Sequence, residues 1–210
     1  MNIFNKIEKN SKRILRRIKN KNHDFTLISQ NCIGGVIYSD LWEEFRSPTI
    51  NMFIEDENFV KLVENLQYYL SLNAEPLIEN YIDPIDPKIV YPKIKIGDIE
   101  ICCLHYKTCE EAIQAWNRRK ERVNLNNIYV LGNVWNLHYN KDLIKRLNNT
   151  GYPTIIFSDL DIKGCYKMPG NWELDNRGII RPNITDFIPG TTKRYYENFF
   201  DPITWLNKKI

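Results

Sequence analysis

Apolar residues along this chain fall into two patterns, short continuous runs and helical spacing at every third or fourth position. The runs predict strands at residues 25–29, 49–54, 99–104, 128–131 and 154–157. The helical spacing predicts helices over 36–45, 56–72 and 141–148 and one that begins after Thr108. Because strands that alternate with helices build parallel sheets, we expect an α/β fold. It would be a single three-layer, Rossmann-like domain with a mostly parallel or mixed sheet and helices on both faces.

Residues 73–97 interrupt this alternation because they are rich in proline. We expect a surface excursion there that includes one edge strand. Thr108 then begins a helix as its N-cap, and Glu111 three residues later completes a capping box. The C-terminal part of the chain is irregular and aromatic.

Residues 1–21 predict a basic amphipathic helix that precedes a single α/β domain over residues 22–210. Eight Lys or Arg residues and one Glu give this segment a net charge of +7, so the rest of the chain carries −4. Its apolar residues share one helical stripe, with Ser11 in the gap: Ile3, Phe4, Ile7, Ile14, Leu15 and Ile18. Either the stripe docks on the chain's own domain, or it makes a peripheral contact with an anionic membrane surface. Nucleic-acid binding is not expected because the acidic remainder carries no recognised motif.

Composition places the chain among reduced, cytoplasmic globular proteins, with 43% apolar and 12% aromatic residues. No apolar run reaches the roughly 18 residues of a membrane span, and the N-terminus lacks the apolar core of a signal peptide. The five cysteines are odd in number and lie mostly in apolar segments, which argues against a disulfide framework. No spacing typical of zinc ligands or of nucleotide-binding glycine loops is present. The sequence therefore indicates no metal and leaves any cofactor unknown.

The strongest candidates for a site follow the first predicted strand, because parallel sheets bind ligands beyond the carboxyl ends of their strands. The residues there are Gln30, Asn31 and Cys32, and then Gly34 and Gly35. A nucleophile elbow has small residues two positions before and after the nucleophile; here Gly34 fits and Gln30 does not. Cys32 is therefore a candidate nucleophile with a pKa lowered by a helix N-terminus, or else a small buried apolar group. The same N-terminus, opened by the two glycines, is a candidate anion site.

His105 and Tyr106 follow the strand predicted at 99–104. A histidine at this strand end is a candidate base for Cys32, with a hydrogen-bonded structural imidazole as the alternative.

The helix after Thr108 carries neighbouring arginines. By the 100° step, Arg118 and Arg122 point away from its apolar stripe, typical of a solvated basic face, whereas Arg119 lies at the margin and could reach an anion. Asp159 and Asp161 follow the strand at 154–157 and have the spacing of a carboxylate pair that holds a divalent metal, although an acidic loop is the default interpretation.

Two long stretches, ISQNCIGGVIYSDLWEEFRSPTINMFI and IEICCLHYKTCEEAIQAWNRRKERVN, resemble a bacterial family catalogued as a domain of unknown function (number 1919). Its members are commonly described as exopolysaccharide or capsular polysaccharide biosynthesis proteins. The residues that match in the first stretch are Ser29, Asn31, Cys32, Gly34, Gly35, Tyr38, Asp40, Leu41, Ser47, Pro48 and Thr49. In the second stretch they are His105, Tyr106, Trp116, Arg118, Arg119 and Arg122. The resemblance is good from about residue 24 to 125 and thin beyond 150; Gln30 replaces the family's usual Asn.

The resemblance implies a role in surface-polysaccharide assembly but no reaction. From the candidate residues we expect a transferase, for acyl or glycosyl groups, that acts on a sugar, sugar nucleotide or lipid-linked sugar. Cys32 and His105 would be its catalytic residues. The residues that would bind a sugar or sugar-phosphate ligand are Ser29, Gln30, Asn31, Gly34, Gly35, Tyr38, Tyr106, Arg118 and Arg119. The alternative is a non-catalytic binding or assembly module of a polysaccharide-producing complex at the membrane face.

Overall fold

The computed structural model describes residues 3–134, 140–175 and 180–208, with the backbone alone for residues 3–6, 174 and 180. Its helices, α1 to α7 in chain order, are Ile3–Lys19, Ile33–Leu41, Asp56–Glu64, Leu66–Ser71, Cys109–Lys120, Lys141–Asn148 and Pro202–Leu206. Its strands, β1 to β9, are Thr26–Ser29, Ala74–Ile82, Val90–Ile96, Ile99–Cys102, Ile128–Val134, Thr154–Ser158, Tyr166–Lys167, Glu173–Leu174 and Ile180–Arg181. A 3₁₀ turn, Tyr195–Asn198, precedes α7.

Four parallel strands form one sheet, in the order β1, β5, β6 and β7. The register of β1 on β5 runs from Thr26 opposite Ile128 to Ser29 opposite Leu131. Every residue of β1 and β5 is buried, as expected for strands of a parallel sheet that is covered on both faces. The α/β class and the strands predicted at 25–29, 128–131 and 154–157 are confirmed.

A second sheet is antiparallel and contains β2, β3 and β4. The strand predicted at 99–104 is confirmed as β4, but it lies in this antiparallel sheet. The edge strand predicted within residues 73–97 is confirmed as β2, which forms a hairpin with the unpredicted strand β3. Most residues of β2 are exposed, so no apolar periodicity marked it as a strand. Its Pro76 lies at an irregularity of the pairing, where a strand tolerates proline.

Residues 49–54 join the two sheets instead of forming the predicted strand. The Ile54 N–H donates to the Gln30 carbonyl at the end of β1, and Phe53 pairs with Cys102 at the end of β4. Asn51, two residues before Phe53, has a left-handed backbone with φ of +63°, which prevents a continuous extended segment. This joining segment brings the carboxyl end of β1 close to the end of β4.

The predicted helix over 56–72 is divided at Asn65 into α3 and α4. Glu55, not Asp56, occupies the N-cap position of α3. The N-cap predicted at Thr108 is confirmed, because its hydroxyl accepts from the Glu111 N–H at 3.1 Å. The Glu111 carboxylate accepts from the Lys107 N–H, one residue before the partner that a capping box uses.

Two apolar cores lie against the parallel sheet, because successive residues of its strands point to opposite faces. Ile28 and Val130 belong to the core that includes α3, α5 and the antiparallel sheet. Leu27 and Leu131 belong to the core that includes α2 and the aromatic C-terminal segment. In that second core Phe157 meets Phe200 edge to face, so the irregular aromatic segment covers one face of the sheet.

The N-terminal helix α1 contacts the domain with its basic side. The apolar stripe remains exposed at all four positions whose side chains are described: Ile7, Ile14, Leu15 and Ile18. The prediction that the stripe docks on the chain's own domain is therefore wrong; Ile3 and Phe4 lie outside the described side chains. Within the described parts of the chain, none of the helices has the length and apolar character to cross a membrane.

Candidate functional site

Cys32 and His105 meet at the junction of the two sheets. Cys32 is the N-cap residue of α2, directly after β1, and its Sγ lies 3.1 Å from Nε2 of His105. Cys32 is partly buried and His105 is exposed, so the pair can be reached from solvent. The predicted nucleophile and base therefore lie within hydrogen-bonding distance, which is the arrangement that nucleophilic catalysis requires.

His105 is held in a tight turn that follows β4. The Tyr106 N–H donates to the Cys103 carbonyl and closes the turn, and the Tyr106 hydroxyl donates to the Ile50 carbonyl at 3.1 Å. Arg119 of α5 donates from Nη1 both to that carbonyl, at 3.0 Å, and to the Tyr106 hydroxyl, at 2.6 Å. The joining segment and α5 thus position the imidazole beside Cys32.

Arg119 and Tyr106 were predicted to bind a ligand, but in the structure they bind other groups of the protein. Arg119 is buried, and its Nη1 binds protein groups rather than facing an open cleft. Arg118 is exposed, as the helical step predicts. Arg122 donates to the Phe45 carbonyl and pairs with Glu44 at 3.4 Å. The contacts of Arg119 and Tyr106 support a structural role, and the anion role predicted for Arg118 and Arg119 stays a prediction.

Two side-chain amides, Asn31 and Asn133, line the ends of the neighbouring strands β1 and β5. Asn31 donates from Nδ2 to Oδ1 of Asn133 at 2.7 Å, and its own Oδ1 accepts from the Ile33 N–H. Asn133 at the end of β5 was not predicted. Its signal was present, because it is a polar residue near the end of a buried run, at the sheet edge where parallel sheets bind ligands.

Gln30 is buried and ties three elements together. Its Nε2 donates to Asp56 at 2.6 Å, at the start of α3, and its Oε1 accepts from the Asn133 N–H at 2.9 Å. Both ends of the amide are thus satisfied by the protein. Gln30 therefore has a structural role at the site, because its amide is bonded to Asp56 and Asn133 rather than presented to a ligand.

Ser29 and the glycines serve close packing at the start of α2. A Cβ on Gly34 would lie 2.6 Å from the Cβ of Ser29, and a Cβ on Gly35 would lie 2.9 Å from Cγ2 of Ile50. The Ser29 hydroxyl accepts from the Gly34 N–H at 3.1 Å and donates to the Asn31 carbonyl at 2.6 Å. Because the Gly34 and Ile33 N–H groups already have side-chain acceptors, the start of α2 offers an anion less than predicted.

Tyr38 lies far inside the core instead of binding substrate. Its hydroxyl donates to the Phe25 carbonyl and accepts from the Leu27 N–H, and its ring stacks on Phe25 with centroids 4.7 Å apart. Its side chain is fully buried. The prediction that Tyr38 contacts a ligand is wrong; it fixes α2 against β1.

Burial raises the pKa of the Cys32 thiol above its ordinary value, while its position at a helix N-terminus acts in the opposite direction. In the free protein the thiol form predominates at neutral pH. A reaction at Cys32 therefore needs a base, and His105 is the neighbouring group that can take the proton.

An open groove of about 930 Å³ lies near the site, between the antiparallel sheet and the start of α3. It shares Asp56 with a narrow crevice that Gln30 and Asn133 line. Glu55, Glu57 and Glu100 line the groove, so it favours a neutral or cationic group over an anion.

Among the described residues, no group of three or more His, Cys, Asp or Glu side chains is placed to hold a metal ion. Asp161 lines a separate groove beside α6, and Asp159 has a buried Oδ1 without a hydrogen-bond partner in the described part of the chain. Within the described part of the chain, neither Asp159 nor Asp161 contacts Cys32 or His105.

The sequence motif around Cys32 explains much of this geometry. Thr49 accepts from the Ser29 N–H at 3.0 Å and fixes the joining segment to the end of β1. Asp40 binds Arg194 and the hydroxyl of Tyr196, which attaches the C-terminal segment to α2.

The chain is similar over most of its length to a bacterial protein. An uncharacterized protein of Haemophilus influenzae (strain ATCC 51907 / DSM 11121 / KW20 / Rd) is 29% identical over 199 residues, which covers 93% of this chain and 89% of that protein. The family described as "Domain of unknown function (DUF1919)" matches residues 3–207. Since that match includes both sheets and the Cys32–His105 pair, the chain belongs to this family of unknown function.

Proposed function

We propose that the protein is a cysteine-dependent acyltransferase of surface-polysaccharide assembly, with Cys32 as the nucleophile and His105 as the base. The observation that supports this proposal is the 3.1 Å separation of Cys32 Sγ and His105 Nε2 at the carboxyl edge of the parallel sheet. The polysaccharide context is supported only by the family resemblance of the two motif stretches.

In the first step His105 takes the thiol proton as Sγ attacks the carbonyl carbon of an activated acyl donor. The bond to the leaving group then breaks, the leaving group receives that proton, and a thioester remains on Cys32. In the second step a sugar hydroxyl gives its proton to His105 and attacks the thioester. The acyl ester forms, and the thiol is restored as the C–S bond breaks.

Acyl transfer fits the described side chains better than glycosyl transfer. Glycosyl transfer generally uses carboxylates near the reacting sugar carbon. Asp56, a carboxylate at this edge, accepts a hydrogen bond from Gln30, and the described hydrogen bond of the Cys32 thiol is to His105 rather than to a carboxylate. The amides of Asn31 and Asn133 supply neutral polar groups that can orient an uncharged acyl or sugar group.

Intact-mass spectrometry of the full chain after incubation with p-nitrophenyl acetate or acetyl-coenzyme A tests the proposal. We expect a mass increase of one acetyl group on Cys32, none in Cys32→Ala, and a rate about 100-fold lower in His105→Gln. Cys165→Ala is the matched control, because Cys165 is also a partly buried free thiol, with a pKa raised by burial to about 11. Equal acetylation of Cys32 and Cys165, or unchanged acetylation in His105→Gln, would contradict the proposal.

A second candidate function is a non-catalytic assembly module at the membrane face. The exposed apolar stripe of α1 is the observation that favours it. If it is correct, Cys32→Ala and His105→Gln retain polysaccharide production in cells while removal of residues 1–21 abolishes it. Under the acyltransferase proposal, the two point variants lose acyl decoration of the polysaccharide.

A further inference from the structure

Helix α1 is oriented opposite to a helix that packs in a hydrophobic core, because its basic side faces the domain and its apolar side faces solvent. By the 100° step, Lys9, Arg13 and Arg16 lie on the side opposite Ile14 and Ile18. The basic side meets the domain, while Ile14 and Ile18 are 45% and 60% exposed and Ile7 and Leu15 are 59% and 57% exposed. An exposed apolar strip on the outside of a helix, here interrupted only at Ser11, is typical of a surface that contacts something else.

Polar contacts hold α1 in this orientation. Arg13 donates to the Ser39 hydroxyl of α2 at 2.7 Å, and Arg17 pairs with Glu43 at 3.0 Å, at the end of α2. Arg16 pairs with Glu197 of the 3₁₀ turn.

The backbone at the end of the helix is also fixed to the domain. The Asn207 side chain accepts from the Lys21 N–H at 2.8 Å and donates to the Lys19 carbonyl at 3.0 Å. Asn20 is fully buried and donates to Glu43 at 3.1 Å. The domain therefore fixes which side of α1 faces outward.

Trp42 is an exposed aromatic residue whose backbone contacts α1. It ends α2 in a left-handed conformation, with φ of 56° and ψ of 40°, where glycine or asparagine is usual, and it is 55% exposed. Its carbonyl accepts from Arg17, so it lies beside α1. An exposed tryptophan next to α1 is suited to the interface of a bilayer, where tryptophan is enriched.

We propose that α1 lies in the plane of an anionic membrane surface, with Ile7, Ile14, Leu15 and Ile18 in the bilayer interface and the domain suspended from its basic side. This binding surface is independent of the acyltransferase proposal. The net charge of +7 in residues 1–21 exceeds the carboxylates that pair with it, and this excess complements anionic head groups.

A second copy of the chain is a poorer occupant. The exposed stripe has the spacing of a coiled-coil seam, but it extends over only about two heptads with Ser11 in the middle, and a coiled coil needs about three or four. Two such helices would also bring like charges together.

Co-sedimentation of the full chain with phosphatidylcholine vesicles, with or without about one third phosphatidylglycerol, tests this proposal. We expect binding to the anionic vesicles, and a partition coefficient about 100-fold lower for Ile14→Asn/Ile18→Asn, which leaves the charge unchanged. Ile82→Asn/Ile85→Asn is the matched control, because those side chains on the β2–β3 hairpin are 60% and 59% exposed and should not affect binding.

Two outcomes would overturn the proposal. One is wild-type binding by Ile14→Asn/Ile18→Asn, which would mean that charge alone attracts the vesicles. The other is a dimer of the wild-type chain in lipid-free sedimentation that the same variant dissociates, which would assign the stripe to a second copy. Acetylation of Cys32 in lipid-free solution should be the same in this variant as in the wild type, so each proposal can fail without the other.

Discussion

Helices α1 and α5 are both amphipathic and both rich in arginine and lysine, yet they dock with opposite sides. α5 buries its apolar side, including Ala112 and Trp116, and leaves Arg118 in solvent. α1 turns its basic side to the domain and leaves Ile14 and Ile18 in solvent. A periodic sequence pattern therefore identifies the two sides of a helix, but the surface on which the helix packs decides which side is buried.

The receiving surfaces differ in chemistry. α5 packs into an apolar core that includes Ile94, Ile101 and Cys103. α1 meets a surface that displays Glu43, the Ser39 hydroxyl and Glu197. Apolar side chains gain little against such a surface, whereas arginines gain hydrogen bonds to charged groups.

The largest expected effect is a difference in stability between variants on the apolar side of α5 and variants on the apolar stripe of α1. Trp116→Ala should destabilise the protein by about 3–5 kcal/mol, because it removes a fully buried ring from the core. Leu15→Ala should change stability by less than about 0.5 kcal/mol, because Leu15 is in solvent. Urea unfolding in lipid-free buffer measures both. A cost of 2 kcal/mol or more for Leu15→Ala would show that the stripe packs on the domain after all.

The second effect concerns the acidic surface that holds α1. Glu43→Gln should cost about 1–3 kcal/mol, because the Glu43 side chain is 2% exposed and accepts from Arg17, Asn20 and His23. Glu44→Gln, at a side chain that is 50% exposed, is the control and should stay within about 0.5 kcal/mol.

Trypsin cleavage within α1 gives a second measurement of that attachment. It should accelerate in Glu43→Gln and not in Glu44→Gln, because Glu43 pairs with Arg17 of α1 whereas Glu44 pairs with Arg122 of the domain. Equal cleavage rates in the two variants would mean that the other contacts of α1 suffice.

The third effect is a loss of stability at alkaline pH, which arises beside α5 and not beside α1. Burial raises the pKa of Cys103, beside the start of α5, to about 12, above the ordinary thiol value of about 8.5. The unfolded chain then loses the Cys103 proton first, so stability is full below about pH 8.5 and falls as the pH rises toward 12. The loss should reach about 1–2 kcal/mol at pH 10. In urea unfolding at pH 7.5, 9 and 10, Cys103→Ala should flatten this decline, and an unchanged slope would contradict the assignment.

Low pH should weaken the attachment of α1 rather than that of α5. A hydrogen bond from Lys12, and then one from Thr192, lowers the pKa of Glu8. The stabilising contribution of Glu8 is therefore present above its ordinary pKa and is lost as the pH falls through the lowered value. Cleavage of α1 by pepsin should accelerate over that acidic range while α5 stays protected, and simultaneous loss of both helices would contradict this view.

The smallest effect compares two neighbours on α5. Arg119→Lys should cost about 1 kcal/mol, because lysine keeps the charge but cannot bridge the Ile50 carbonyl and the Tyr106 hydroxyl as Arg119 does. Because those contacts hold the turn of His105, acetylation of Cys32 should also slow several-fold. Arg118→Lys, in solvent, should change neither quantity. A slower Arg118→Lys with a normal Arg119→Lys would restore the predicted anion role of Arg118.

The parallel strands β1, β5 and β6 were predictable because each is a short, largely buried run that is mostly apolar, whereas β7, with two exposed residues, was not predicted. The hairpin β2–β3 was not predicted either, because β2 is mostly exposed and carries proline, and β4 was placed in the wrong sheet because a buried run has the same appearance in either kind of sheet. The glycines were identified as special positions, but their close contacts with Ser29 and Ile50 support packing rather than ligand access.

Local sequence by itself determined the elements and the candidate chemistry: the strand, the turn at Cys32, the helix after it, and a histidine after another apolar run. Only the tertiary structure decided that Sγ of Cys32 and Nε2 of His105 are neighbours, because their contact depends on residues 49–54 joining two sheets. It likewise decided that α1 docks through its arginines. Side-chain periodicity is a local property, whereas the partner of a surface lies elsewhere along the chain: Ser39 is 26 residues from Arg13, and Glu197 is 181 residues from Arg16.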